Sequence, residues 1–127
     1  MTMHRLTIFL AALASLLLAT TLAEAHAHLD HASPRVGSTV KAAPREVTLT
    51  FTQKLEPAFS RIEVRDASGA RVDTGKATFS KTNPVEMQIA VKPLKAGTYR
   101  VFWHALSVDT HMTEGNFSFR VGDETAQ

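Results

Sequence analysis

The sequence predicts an all-β protein, an antiparallel sandwich or barrel in a single domain. Three observations predict it. Apolar residues recur at every second position over most of the chain, helical periodicity is hard to find, and turn-forming clusters separate the alternating runs at short intervals. A chain of 127 residues has room for one ordinary domain, which excludes a large multidomain enzyme.

The first residues stand apart from that pattern. Met1 to Arg5 is positively charged, Leu6 to Leu22 is almost wholly apolar, and Ala23-Glu24-Ala25 is a small-x-small triplet. This is the three-part plan of a secretory signal peptide, expected over residues 1–25, with the mature domain over 26–127. Ala25-His26-Ala27 repeats the small-x-small pattern, so a cut after Ala27 is the alternative. Either cut exposes a histidine. No later stretch approaches the length needed to span a bilayer, so no membrane insertion is expected after cleavage.

The run from Leu29 to Val40 contains Pro34 and Gly37, which fits an edge or broken strand. In Glu46 to Thr52, Val47, Leu49 and Phe51 share one face and threonines the other, a half-buried strand. Ile62 and Val64 repeat the pattern. Asp66-Ala67-Ser68-Gly69-Ala70 has turn composition and leads into Arg71-Val72 as a hairpin. Val85, Met87, Ile89 and Val91 alternate, then Tyr99, Val101 and Trp103, and finally Phe117, Phe119 and Val121. Gly122 to Gln127 reads as a frayed polar tail.

Composition narrows the chemistry. The chain has no cysteine, which removes disulfides, thiolate metal sites, iron–sulfur clusters and cysteine nucleophiles together. A formal charge of +2 with 20% charged residues leaves no nucleic-acid footprint. Of the six histidines, His4 belongs to the expected signal and His104 to a strand, and the other four gather in two places: His26-Ala27-His28-Leu29-Asp30-His31 and Val108-Asp109-Thr110-His111. Cleavage after Ala25 gives His26 a free α-amino group beside its imidazole, a bidentate nitrogen chelate. In an extended segment Asp109 and His111, at i and i+2, project from the same side. If the fold brings the chain start to this loop, three nitrogens and one oxygen converge, a set that suits tetragonal copper(II) better than tetrahedral zinc.

Other readings stay open at this level. His26 can be a frayed terminal residue, and Asp109 with His111 an ordinary solvated turn. His26-Ala27-His28 can wrap copper(II) through the amine, two backbone amides and the third-position imidazole, with Asp109 and His111 as bystanders. His104 reads as a structural or surface histidine, while His28 and His31 are ambiguous.

The sequence resembles the CopC family of periplasmic copper-binding proteins over nearly the whole mature chain. The resemblance is carried by His26-Ala27-His28-Leu29, Ser33-Pro34, Gly37-Ser38-Thr39-Val40, the Pro44 to Phe51 strand, and Trp103 to His111 with Gly115 and Phe117-Ser118-Phe119-Arg120-Val121. It implies a Greek-key β-sandwich or barrel, cupredoxin-like or immunoglobulin-like, that binds copper(II) in the bacterial periplasm and serves copper tolerance or supply. Carried over, His26 contributes amine and imidazole, His111 an imidazole and Asp109 a carboxylate. His28 is a further ligand or a partner that orients Asp109. An inner-membrane copper transporter or a periplasmic copper oxidase is the implied partner. Some members resemble two-site proteins with a methionine-rich loop for copper(I), but here Met1 and Met3 belong to the signal and only Met87 and Met112 remain. Met87 alternates into the core, and Met112 is at most a weak axial ligand, so the expectation is a copper(II)-only carrier without catalysis. The enzymatic alternative is the lytic polysaccharide monooxygenases, whose copper site also uses an amino-terminal histidine. One tryptophan and one tyrosine build a poor carbohydrate platform, and Asp109 would occupy the position oxygen needs.

Overall fold

The structure, a computed structural model, describes residues 26–122. The expected signal segment and residues 123–127 lie outside the described residues. Eight strands follow in order: β1 (Leu29–Ser33), β2 (Thr39–Val40), β3 (Glu46–Phe51), β4 (Arg61–Arg65), β5 (Thr78–Phe79), β6 (Glu86–Ala90), β7 (Gly97–Leu106) and β8 (Met112–Val121). A 3₁₀ turn, Pro57–Phe59, is the only helical element among the described residues.

The strands form two four-stranded sheets, β1-β3-β6-β5 and β2-β8-β7-β4. Consecutive strands pair within a sheet only at β5–β6 and β7–β8; every other connection crosses to the opposite sheet, as in a Greek-key sandwich. Period-two alternation then places one face of each sheet inside. Val47, Leu49 and Phe51 of β3 meet Ile62 and Val64 of β4, Met87 and Ile89 of β6, and the inward residues of β7 and β8, all buried. The Phe51 and Trp103 rings meet edge to face at 5.1 Å, a contact that adds about 0.5–1.5 kcal/mol beyond area burial. Trp103 faces Gly115 across the β7–β8 ladder, and a Cβ at Gly115 would stand 2.5 Å from its ring, so the indole occupies the space a side chain would need.

The early segment is broken as expected. β1 runs along the edge of the first sheet, the chain turns at the cis Ser33–Pro34 peptide and at Gly37, and β2 joins the edge of the second. Four details depart from expectation. β2 pairs with β8 in parallel, within an otherwise antiparallel molecule. Gly122 is tied down, its N–H donating to the Val40 carbonyl at 2.8 Å. The Asp66–Ala70 turn forms, yet the hairpin it closes is a single bridge, Arg65 to Arg71. β5 was not anticipated, because two residues are too few to show alternation.

The interior also holds a carboxylate. Asp73 is buried and accepts hydrogen bonds from Val64 N (2.8 Å), Gly75 N (2.8 Å) and the Arg71 guanidinium (2.7 and 3.2 Å). Burial pushes its pKa up, but the bonds from Arg71, Val64 and Gly75 outweigh burial and hold the carboxyl below its ordinary value.

Candidate metal centre

The two histidine-bearing segments meet at one end of the sandwich. A bulge in β1 between Leu29 and His31 re-aims the chain as it leaves the sheet toward its start. Beyond it, His28 N donates to Thr52 Oγ1 at 2.9 Å and Thr52 N donates to the His28 carbonyl at 2.9 Å, extending the line of β3. Ala27 is fully buried, and its carbonyl accepts from Thr113 Oγ1 of β8 at 2.5 Å. The amino-terminal segment is thus seated on both sheets, with a methyl group as the plug.

The other wall is the β7–β8 connection. Ser107 N donates to the His111 carbonyl at 3.1 Å, and Thr110 N to the Ser107 carbonyl at 2.9 Å, closing a tight loop. Thr110 takes φ = 72°, a left-handed conformation unusual for a β-branched residue. The sequence argument expected Asp109 and His111 to converge through extended backbone. They do converge, with Asp109 Oδ1 3.3 Å from His111 Nδ1, but the turn at Thr110 aims them.

Ser107 belongs to the Trp103 to His111 motif but was not singled out as a candidate site residue. It is fully buried beneath the loop, and its hydroxyl donates to Asp109 Oδ1. That bond is the largest cause holding the Asp109 carboxyl below its ordinary value; burial opposes it and bonds from His111 assist. The Ser-x-Asp spacing, which lets a hydroxyl meet a carboxylate two residues on, was the available signal.

The His26 and His111 rings lie 4.4 Å apart between centroids, edge to face. The His28 ring is 6.5 Å from that of His26. His26 Nδ1 is buried and has no hydrogen-bond partner. A buried imidazole nitrogen is ordinarily satisfied, so an orphan beside a second imidazole is a group chemically able to hold a cation. Among the described residues, no three His, Asp or Glu side chains by themselves form a metal-holding group. The remaining candidates lie elsewhere: His31 is exposed on β1, Met87 is fully buried in the core, Met112 is exposed, and His104 pairs with Glu114 at 2.8 Å across β7 and β8.

Residues 29–122 match the model of the CopC domain. The chain belongs to the CopC family. The match takes in Asp109 and His111 and begins just after His28. Among curated CopC-like relatives, Protein YobA of Escherichia coli strain K12 is 38% identical over 101 residues, covering 76% of this chain and 79% of that protein. Copper resistance protein C of Pseudomonas syringae pv. tomato is 32% identical over 129 residues, covering 91% and 95%. Among solved structures, CopC from Methylosinus trichosporium OB3b superposes with a TM-score of 0.74 at 33% identity, covering 80% of this chain and 99% of that one. PcoC, a methionine-rich copper resistance protein from Escherichia coli, gives 0.68 at 37% identity, covering 76% and 99%.

Proposed function

We propose that this CopC-family chain is a periplasmic copper(II)-binding protein that carries or buffers the ion in copper homeostasis and resistance, without catalysis. The ion is held by the α-amino nitrogen and imidazole of His26, the His111 imidazole and the Asp109 carboxylate. The observation that carries this reading is the orphaned, buried His26 Nδ1, its ring 4.4 Å from that of His111, which in turn meets Asp109 at 3.3 Å. Nitrogen and carboxylate donors without thiolate or clustered thioether favour copper(II) over copper(I). His28 acts from the next layer, through its backbone bonds to Thr52 and its ring beside His26. An inner-membrane copper transporter or a periplasmic copper oxidase is the partner that the family resemblance suggests for this role.

The seat of Ala27 supports signal cleavage after Ala25. A cut after Ala27 would delete the buried methyl and the carbonyl that Thr113 holds. The wrapped amide alternative fares worse, because it would have to take the His28 amide from Thr52. Copper(II) titration of processed protein against a competing chelator tests the reading. One ion per chain is expected, weakened by about 100-fold or more in His111→Ala and in a form carrying an additional residue before His26, beyond the roughly 10- to 100-fold that outer partners cost. Unchanged affinity in both would sink the reading.

A further inference from the structure

Positive charge is sorted between the two sheets. Among the described residues no lysine lies in a strand, and every strand arginine, Arg61, Arg65, Arg100 and Arg120, lies in the β2-β8-β7-β4 sheet. Strands of the other sheet carry only acidic formal charges, at Asp30, Glu46 and Glu86. Each arginine alternates with buried neighbours, so all four project from the outer face. Pairing sets Arg65 directly opposite Arg100. Like charges opposed across a ladder destabilise a sheet, so folding alone gives no reason for this arrangement.

Neutralisation within the face is incomplete. Glu63 reaches Arg65 at 3.2 Å and Arg71 at 3.3 Å, whereas Arg61, Arg100 and Arg120 meet no carboxylate among the described residues. Phe102, half-buried, stands at the centre between Glu63 and Asn116. An open recess of about 400 Å³ on one side is lined by Arg61, Arg71 and His104 with Glu63, and one of about 340 Å³ on the other by Arg65 and Arg100 with Asp66, so arginines outnumber carboxylates in each; Phe102 lines both.

Arginine and aromatic side chains are enriched at protein interfaces and lysine is depleted, and the guanidinium fork matches a carboxylate. An anionic lipid surface would be served equally by lysine, which this face lacks in its strands. We propose that the outer face of the β2-β8-β7-β4 sheet docks a partner protein presenting a carboxylate-rich patch, with Phe102 as apolar anchor between two arginine-lined recesses. Because β7 runs from Phe102 through His104 to Leu106, the docked partner lies beside the Ser107–His111 loop.

The test uses metal-free processed protein, which separates this inference from the copper reading. The probe is a short synthetic peptide of glutamates around one central leucine, titrated while backbone amide shifts are followed by NMR. Shifts concentrated on β4, β7 and β8 are expected, with binding that weakens as salt rises from about 0.05 to about 0.2 M. Arg61→Gln with Arg100→Gln should weaken binding about tenfold or more, while Lys92→Gln with Lys95→Gln, the same charge change, should stay within about twofold. If the double arginine variant melts early, Arg61→Gln alone should still weaken binding more than the lysine pair. Equal weakening by both pairs, shifts centred on the lysine loops, or binding only to phosphatidylglycerol vesicles would overturn the proposal.

Discussion

Three carboxyls among the described residues, Asp66, Asp73 and Asp109, are held below their ordinary pKa, and the last two do opposite work. Asp73 sits at the β4 corner with its side chain wholly buried, and both oxygens are taken by two backbone N–H groups and the Arg71 guanidinium. Asp109 sits in the β7–β8 loop with its side chain 36% exposed, and its recorded bonds, from Ser107 and His111, all converge on Oδ1. The first is closed and the second is open. A lowered pKa alone does not separate a structural carboxylate from a candidate ligand; the number of oxygens left over does.

The largest expected effect breaks the closed member. Asp73→Ala leaves Arg71 without its buried partner and two N–H groups unsatisfied, a loss of about 3–5 kcal/mol in denaturant unfolding. Copper affinity per folded molecule should stay within about threefold, since Asp73 touches neither wall of the centre. Asp109→Ala should give the mirror image. Stability should barely move, as is usual for exposed positions. Copper(II) affinity, measured by chelator competition, should fall about 100-fold or more. If Asp109→Ala instead unfolds the protein and spares the affinity, the two carboxylates do the same job and the contrast is wrong.

Ser107→Ala sharpens the contrast at lower cost. Removing the buried hydroxyl should cost about 1 kcal/mol of stability and, by freeing the Asp109 carboxylate, about tenfold in copper affinity. Ser107→Thr, which keeps a hydroxyl, should recover part of the affinity in the same titration. An affinity that ignores both changes would make Ser107 a filler of the loop.

What was legible in the sequence divides along the same line. The strands β3, β4, β6, β7 and β8 were readable because each buries one face and so alternates, and Met87 and Trp103 fell where the period put them. Local patterning also located Asp109 and His111, though the left-handed Thr110 that aims them left no sequence signature, since threonine rarely adopts it. The seat of the chain start was illegible. It depends on Thr52 and Thr113, the latter 86 residues from Ala27, and a threonine in a strand looks alike whether it faces water or holds a distant carbonyl. The arginine face was hidden for a similar reason: its members come from three strands and became one surface only through the ladder register.

The smallest effect concerns acid. A carboxyl whose folded pKa lies below its unfolded value of about 3.9 contributes stability that is fully present above that value and lost as pH falls through the folded value. Asp66, Asp73 and Asp109 all have this sign, but solvent screens the bonds that depress exposed Asp109, so it contributes less to the slope than Asp73. Unfolding midpoints in denaturant, followed from about pH 5 down to about pH 2, should therefore decline in the native protein and in Asp109→Asn with nearly the same slope. In Asp73→Asn, starting from a lower midpoint, that slope should be shallower, because one of the groups that bind a proton on unfolding is gone. A slope flattened equally by Asp109→Asn would mean that the loop carboxylate is as firmly enclosed as the interior one. The open oxygen on which the metal reading depends would then be closed in solution.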